Sequence, residues 1–342
     1  MIKIIYIKNI LNNYYRIDKY LYYYFLLKKK NISRKKIQDN INNGNVLLNN
    51  KVIKKKKHIK INDKIIFIYK KNFFKIKKKK YIYKNKNIIL NIKYEDNDII
   101  IINKQPGLTV HPGCGNYKNT LINGLKYYIS LKKIKILNYS KYRIGLLHRL
   151  DKDTSGLLIV AKNIKSFNIL NEQFKKKKII KKYLALVWGI PKKKKDIIKN
   201  YIGRNKKNRI KMTVLKNDIK NGKYSITKYK ILKVFNYFSL IECNLKTGRT
   251  HQIRVHLKYI GNPIFNDKLY GGNKIKYNYI NRLYKKKYTN IIKYLFNVLP
   301  RQALHSYLLK FNHPITKKKI TFISKLPKSF KKVIEYLKKN NF

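Results

Sequence analysis

The sequence predicts an α+β protein, in which a small N-terminal αβ module precedes a larger domain. Two patterns lead to this prediction. Between residues 16 and 69, apolar residues spaced four apart give way to a short alternating run, which is typical of helices followed by a hairpin. From Ile89 onward, apolar runs of strand length alternate with polar and helical stretches, and no glycine-rich nucleotide-binding loop accompanies them.

The composition excludes several classes of protein. The 342 residues, 44% of them hydrophobic, are enough for one large or two smaller cores. No apolar run approaches the ~18 to 20 residues of a membrane span, and the N-terminus lacks the pattern of a cleaved leader. The two cysteines, Cys114 and Cys243, have neither disulfide-framework nor zinc-ligand spacing. We therefore expect a soluble, unprocessed, cytoplasmic protein that binds no metal ion.

The chain carries a formal charge of +70, from 84 lysines and arginines against 14 acidic residues, so it should attract polyanions. RNA, DNA and an anionic membrane all fit this charge. Only ten of the 84 cations are arginines, and Lys, Asn, Ile and Tyr recur along the whole chain, as A+T-rich codon usage would produce. Lysine runs such as 192–195 are therefore expected to be solvated rather than dedicated contacts. The short segments that combine histidine with arginine are more informative.

Helix and turn signals define the N-terminal module. The apolar positions of its first helix recur every four residues: Ile17, Leu21 and Phe25. Ser33 is a candidate N-cap for a second helix, and Gly44 suits the left-handed position just after the end of that helix. The segment NVLLNNKVI then predicts a hairpin that turns at Asn49-Asn50.

Residues 15–70 resemble the S-four-like RNA-binding domain. The segments RIDKYL, SRKKIQDNINNGNVLLNNKVI and INDKIIFI carry the resemblance. In that family the basic helix that begins near Ser33 lies against RNA, so the resemblance implies Arg34, Lys35 and Lys36 as RNA-binding residues. Any small basic αβ module would look similar, which is the alternative. Asn62 stands where glycine is usual, and the expected cost is a strained turn. Residues 71–88 are predicted to form a basic linker.

The second domain contains four runs that are predicted to be strands: Asp98–Asn103, Leu157–Ala161, Tyr183–Val187 and Phe238–Leu245. In the segment HQIRVH, alternation predicts a further strand with Gln252, Arg254 and His256 on one face. The lysine-rich insert from Lys274 to Asn297 is predicted to be a surface excursion.

The segment HRLDKDTSGLLIVAKN, residues 148–163, has the form of a catalytic loop. A polar, charged stretch leads directly into a strand that should be buried, an arrangement that presents a side chain at a sheet edge. Asp151 is the carboxylate at that edge. Chemistry alone leaves its role open, because an aspartate beside Arg149 and Lys152 is equally suited to a simple ion pair. Asp153 is a competing carboxylate.

This segment resembles the signature of the RluA family of pseudouridine synthases, and further matches follow in the order of that family. Upstream lies YEDNDIIIINKQPGLTVHPGCGN; downstream lie KKYLALVWG, GKYSITKY, TGRTHQIRVH, GNPIFNDKLYGG, RQALHS and FNHP. Gln105 departs from the proline that is usual there. The resemblance covers residues 89–332 and implies the catalytic domain of the family, built on a mixed, largely antiparallel sheet.

The resemblance implies roles for four residues in the isomerisation of uridine in RNA. Asp151 is the catalytic carboxylate, acting as a nucleophile or as a base on the ribose. Arg149 offsets the cost of extruding the uridine, with phosphate pairing as the alternative. Arg254 keeps Asp151 ionised in a closed site, unless it only ties a strand edge. Tyr183 takes part in removing the proton from the rejoined base.

The expected function is the modification of ribosomal RNA. The segments HPGCGN and RQALH favour the RluD-like branch of the family, which acts on large-subunit ribosomal RNA, over its RluC-like sister. Two alternatives stay open: a non-catalytic RNA-binding protein that assists ribosome assembly, and a sister enzyme that acts on transfer RNA. An isomerisation consumes no energy and changes no redox state, so no cofactor is expected. We expect a monomer that binds large-subunit ribosomal RNA or its assembly precursor and no membrane.

Overall fold

The computed structural model describes residues 1–9, 16–28, 32–70, 73–74, 84–113, 115–132, 145–205, 207–208, 210–215, 221–276 and 285–340. The chain divides into two compact units, Met1–Tyr81 and Ile82–Phe342. This division falls inside the predicted linker at residues 71–88. Within the described ranges, no helix combines the length and the apolar character needed to cross a membrane.

The N-terminal unit combines two helices with a four-stranded antiparallel sheet. Its elements are β1 (Ile2–Tyr6), α1 (Ile17–Leu27), α2 (Arg34–Asn42), β2 (Val46–Leu48), β3 (Lys51–Val52) and β4 (Lys64–Ile68). The strand order is β1-β4-β2-β3. The predicted succession of helix, helix and hairpin is confirmed. The sheet also contains β1, which lies before residue 15, where the sequence placed the start of this domain.

Local sequence signals account for the shape of this unit. The Ser33 side chain accepts a hydrogen bond from the backbone N–H of Lys36 and so caps α2. Asn49 and Asn50 turn the hairpin with φ values of 49° and 64°, in the left-handed region that asparagine tolerates. Asn62 has a φ of 72°, so the strained turn expected there is present. The apolar helix positions Ile17, Leu21 and Phe25 are buried, as predicted.

The second unit is built on a ten-stranded sheet. Its strands are β5 (Ile92–Glu95), β6 (Ile99–Lys104), β7 (Ser155–Ala161), β8 (Ile180–Trp188), β9 (Lys195–Arg204), β10 (Met212–Leu215), β11 (Lys223–Val234), β12 (Phe238–Leu245), β13 (Leu304–Asn312) and β14 (Lys319–Ile323). The order is β10-β9-β11-β12-β8-β13-β7-β6-β5, and β14 pairs with β13. The β13–β7 pair is parallel, whereas the other strand pairs are antiparallel. The predicted mixed, largely antiparallel sheet is therefore confirmed.

The helices described in this unit are α3 (Leu121–Leu131), α4 (Ile164–Lys175), α5 (Gln252–Tyr259), α6 (Lys285–Val298) and α7 (Lys328–Lys339). The prediction of a surface excursion over residues 274–297 is wrong for its second half. Ile292 and Leu295 of α6 are fully buried in the main core. The lysines that dominate this segment obscured an apolar residue at every third or fourth position.

Strand β7 lies in the sheet between β13 and β6 and leads directly from the predicted catalytic loop. All seven of its residues are buried. Leu158 and Val160 join the main core, whereas Leu157 and Ile159 join a second core on the other face of the sheet. Gly156, at φ 114°, has no room for a side chain, because a Cβ would lie 2.2 Å from the carbonyl oxygen of Ser306. Glycine thus allows β7 and β13 to approach closely beside the site.

Candidate active site

The loop that precedes β7 carries Asp151. Leu146 pairs with Val160 in an isolated bridge, and Leu150 is buried in the main core. The backbone N–H of Thr154 donates to the carbonyl oxygen of Asp151 at 3.2 Å, which closes a turn at the end of the loop. The Asp151 side chain remains 18% exposed. The sequence prediction of a carboxylate presented at the start of a buried strand is confirmed.

Buried Lys104, at the end of β6, ties this loop to the one before it. Its ammonium group donates to the carbonyl oxygens of Gln105 at 2.8 Å, Leu108 at 2.9 Å and Lys152 at 2.8 Å. Burial lowers the pKa of Lys104 to about 7, an effect that nearby acidic side chains oppose. Three donors on one nitrogen satisfy three carbonyl groups, so a single side chain fixes the backbone next to Asp151.

Replacement of this lysine should destabilise the second unit. We expect Lys104→Met to lower the free energy of unfolding by about 2 to 4 kcal/mol, because three carbonyl groups lose their shared charged donor while the apolar stem is kept. Urea unfolding followed by the fluorescence of Trp188, which is fully buried in this unit, measures the loss. Lys93→Met, at an exposed position of β5, is the control and should change stability by less than about 0.5 kcal/mol. Equal stabilities of the two variants would contradict the assignment.

Arg254 connects Asp151 to a second aspartate. Its Nη1 donates to Oδ2 of Asp151 at 3.0 Å, while Nε and Nη2 donate to the two carboxylate oxygens of Asp267 at 2.7 and 2.9 Å. Asp267 is fully buried. Burial alone would lower the pKa of Arg254, but the hydrogen bonds and charges of the two aspartates raise it above its usual value. The two hydrogen bonds to Asp267 hold the Arg254 guanidinium in place, so that its positive charge faces Asp151.

The prediction that HQIRVH forms a strand is wrong, because Gln252–Tyr259 is helix α5. Gln252 and His256 lie four residues apart on one helical face, and both side chains hydrogen-bond the Thr227 hydroxyl at 2.9 Å. Arg254 lies between them in sequence and on the other side of the helix, where it meets Asp151. The residues from Gln252 to Leu257 are all buried. Alternation of polar and apolar residues cannot distinguish a strand from a short helix whose consecutive residues are buried on every side, as the first six of α5 are.

Tyr183 lies in β8, where its backbone pairs with Cys243 of β12 and Ser306 of β13. The side chain is buried in the main core. Burial raises the pKa of the Tyr183 phenol, and the charge of Asp151 adds to this rise. The phenol is therefore neutral in the free protein and lies within the electrostatic reach of Asp151. Its part in proton removal stays a prediction.

Arg149, the fourth predicted site residue, is exposed. Across the described ranges it forms neither a hydrogen bond nor an ion pair. Its charge nevertheless contributes to lowering the pKa of His251, an effect due mainly to burial. The guanidinium is accessible to solvent two residues from Asp151, and its role in uridine extrusion stays a prediction.

The three residues predicted to bind RNA in the N-terminal unit differ in their surroundings. Arg34 donates to the buried Asp18 carboxylate through Nε at 3.0 Å and Nη2 at 2.7 Å. The Lys36 ammonium donates to the carbonyl oxygen of Phe73 and lies 4.6 Å from the centre of its ring. Lys35 is exposed and has no partner among the described residues. Arg34 and Lys36 thus stabilise the unit itself, and the RNA contacts of all three stay predictions.

Three further residues of the site had been given no role from the sequence. Asp267 receives Arg254, the Tyr270 ring lies 4.9 Å from the Arg254 guanidinium carbon, and His251 Nε2 lies 3.9 Å from Asp151 Oδ2. The only signal for them was their position in TGRTHQIRVH and GNPIFNDKLYGG, where residue type departs from the lysine-rich background. No spacing rule connects these segments to Asp151, about a hundred residues earlier.

A second cluster of ionisable side chains resembles a metal site. Asp96, Asp98 and His313 have potential ligand atoms within 4.8 Å of one another. His313 Nε2 lies 2.9 Å from an Asp96 oxygen, and Nδ1 accepts from the backbone N–H groups of Ile315 and Thr316. Both ring nitrogens are therefore in use, and Asp98 accepts from side chains at the start of α4. These hydrogen bonds account for the cluster, and we assign no metal to it.

Comparison with known proteins connects this geometry to a family. The profile described as RNA pseudouridylate synthase matches residues 98–259, a range that contains Asp151, Tyr183 and Arg254. The ribosomal large subunit pseudouridine synthase D of Buchnera aphidicola subsp. Schizaphis graminum is 42% identical over 299 residues, which cover 86% of this chain and 88% of that protein. The chain belongs to the RNA pseudouridylate synthase family. The predicted family is thereby confirmed.

Two other comparisons agree with this membership. An uncharacterized RNA pseudouridine synthase of Chlorobaculum parvum is 36% identical to this pseudouridylate synthase over 302 residues, covering 88% of this chain and 89% of that protein. The structure of human RNA Pseudouridylate Synthase Domain Containing 4 superposes with a TM-score of 0.54 at 23% identity, covering 72% of this chain and 93% of that chain. The structural likeness supports the fold.

Proposed function

We propose that this pseudouridylate synthase isomerises uridines in large-subunit ribosomal RNA, with Asp151 as its catalytic carboxylate. One observation carries the proposal for Asp151. Arg254 holds Oδ2 at 3.0 Å, whereas Oδ1 accepts no hydrogen bond from any described residue. A carboxylate with one oxygen fixed and the other available has the arrangement that a nucleophile or a base requires. The relatives named ribosomal large subunit pseudouridine synthase D support the choice of RNA.

The reaction requires the protein mainly to position the uridine and to stabilise charge. The bond between C1′ of the ribose and N1 of uracil breaks, and a bond between C1′ and C5 forms. The C5 proton leaves and N1 gains one, so atoms balance and no cofactor is consumed. Oδ1 of Asp151 attacks the substrate or removes a ribose proton, while Arg254 keeps negative charge on the carboxylate favourable. Tyr183, whose buried phenol lies within the electrostatic reach of Asp151, takes part in removing the C5 proton.

Charge supports RNA as the partner. The chain has a formal charge of +70, and exposed Arg149 lies two residues from the catalytic carboxylate. A cation of this kind offsets the few kcal/mol, roughly, that extrusion of a base costs. The N-terminal unit, whose sequence resembles an RNA-binding domain, supplies a second basic surface that includes Lys35. We propose that the protein works in the cytoplasm, as a monomer.

The choice of RNA is tested with unmodified transcripts. The protein is incubated separately with large-subunit ribosomal, small-subunit ribosomal and transfer RNA, and pseudouridine is mapped by carbodiimide modification and reverse transcription. We expect stops at a few discrete uridines of large-subunit RNA. If stops appeared only in transfer RNA, the proposed substrate would be wrong, whereas the proposed reaction would stand. Absence of stops in all three RNAs would overturn the proposed enzyme.

A further inference from the structure

A second donor besides Arg254 faces the catalytic carboxylate. His251 precedes α5, and its Nε2 lies 3.9 Å from Oδ2 of Asp151. The imidazole is 17% exposed. Its backbone has a φ of 55°, a left-handed conformation that few non-glycine residues adopt, so the chain is turned in an uncommon way to place this ring. The contact is longer than a hydrogen bond, and contacts of this kind often tighten when substrate enters.

A chain of hydrogen bonds connects His251 to Met212 through the Tyr270 hydroxyl. The Tyr270 hydroxyl accepts from the backbone N–H of Met212 at 3.0 Å and lies 2.8 Å from Nδ1 of His251. A hydroxyl that already accepts from Met212 can donate its own hydrogen to Nδ1. Burial lowers the pKa of His251, which keeps the ring neutral near pH 7. A neutral imidazole that accepts at Nδ1 carries its hydrogen on Nε2, facing Asp151.

We propose that His251 is a positioning residue for Asp151, with its Nε2–H directed at Oδ2 by the Tyr270 hydroxyl. The proposal rests on the proposed function, because it concerns how the same carboxylate is presented to RNA. Arg254 and His251 approach the same oxygen. Together they fix the rotation of the carboxylate and leave Oδ1 as the reacting oxygen.

Tyr270 has a central place in this arrangement. It is buried, its ring lies against the Arg254 guanidinium, and its backbone N–H donates to Asp267. One side chain therefore contacts both groups that approach Oδ2. Because its hydroxyl also receives the N–H of Met212, the first residue of β10, the neighbouring strand is connected to the orientation of His251.

Two substitutions of His251 distinguish the roles of its two ring nitrogens. The side-chain nitrogen of glutamine reaches the position of Nε2 and keeps a donor toward Asp151, whereas the asparagine amide reaches only the position of Nδ1 and keeps the contact with Tyr270. We expect His251→Asn to slow single-turnover pseudouridine formation about 30-fold and His251→Gln about threefold, with the dissociation constant for RNA changed less than about twofold. Asparagine tolerates the left-handed backbone best, so a purely structural role would make His251→Asn the faster variant. That order, or equal rates, would overturn the proposal.

A spectroscopic measurement tests the proton without RNA. Long-range ¹⁵N–¹H correlation of the histidine rings, with the His251 signals assigned by their loss in His251→Gln, should show hydrogen on Nε2 in the wild type near pH 7. Tyr270→Phe should shift the ring toward a mixture of tautomers. Hydrogen on Nδ1 in the wild type would overturn the proposal, even if a variant fails to fold. If the wild type modified no large-subunit RNA, the proposed function would fail while this measurement still decided the tautomer.

Discussion

Asp151→Asn should reduce the rate of pseudouridine formation by about 10⁴-fold or more, because the amide has nearly the same shape but neither attacks as a nucleophile nor accepts a proton as a base. The amide oxygen still accepts from Arg254, so the variant should fold. Release of tritium from RNA that carries [5-³H]uridine, under single-turnover conditions, measures the rate. Binding of the same RNA measured by filter retention should change less than about fivefold, since one carboxylate among many cations contributes little to affinity.

Asp153→Asn is the matched control for this substitution. Asp153 is the other carboxylate of the loop, and the sequence alone left it as a competitor. Arg301 contacts its backbone carbonyl oxygen at 3.1 Å, which does not depend on the side chain. We expect a rate within about threefold of the wild type, as for a partly exposed charge outside the reaction. A loss equal to that of Asp151→Asn would remove the distinction between the two carboxylates.

Arg254→Met should destabilise the second unit by about 3 to 5 kcal/mol, because it leaves the Asp267 carboxylate buried without its countercharge. Asp267 is fully buried, and Arg254 is its ion-pair partner in the described structure. The same change removes the charge from beside Asp151, so activity should fall well beyond the loss of folded protein. Urea unfolding followed by Trp188 fluorescence gives the stability. Arg254→Lys should keep only part of the stability that Arg254→Met loses, because an ammonium group lacks the planar set of N–H donors that reaches two carboxylates at once.

A double replacement separates stability from catalysis. Arg254→Met combined with Asp267→Asn removes both buried charges and keeps an oxygen for the backbone N–H groups of Leu269 and Tyr270, so it should restore at least half of the lost stability. Activity should stay low, since Asp151 still lacks its guanidinium. Stability losses that simply add would contradict the coupling of Arg254 to Asp267. Recovery of activity together with stability would show that Arg254 serves the fold alone.

Features that depend on neighbouring residues were predictable from the sequence. The Ser33 cap and the Asn49-Asn50 turn follow from side-chain and backbone preferences that act within a few residues. Strand β7 was predicted because burial on both faces demands an unbroken apolar run. Asp151 was identified as the carboxylate at the start of that strand, although its catalytic role came only from the family resemblance.

Features that depend on distant contacts were not predictable in the same way. Strand β1 pairs with β4, about sixty residues later, and no local sequence pattern indicates which strand it pairs with. Helix α5 was taken for a strand because Gln252, Arg254 and His256 point to opposite sides of a helix that is buried over its first six residues, and each of the three has a hydrogen-bond partner. Asp267 meets Arg254, and His251 meets Asp151, only in three dimensions. Their importance rests on hydrogen bonds, which a single sequence does not show.

Side-by-side carbodiimide mapping of large-subunit ribosomal RNA, incubated with the wild type, Asp151→Asn or Asp153→Asn, tests the central claim most directly. The claim is that Asp151, held through one oxygen by Arg254, catalyses pseudouridine formation in this RNA. We expect the same discrete stops with the wild type and Asp153→Asn, and none with Asp151→Asn. Stops of equal strength with Asp151→Asn, or no stops with the wild type, would contradict the claim.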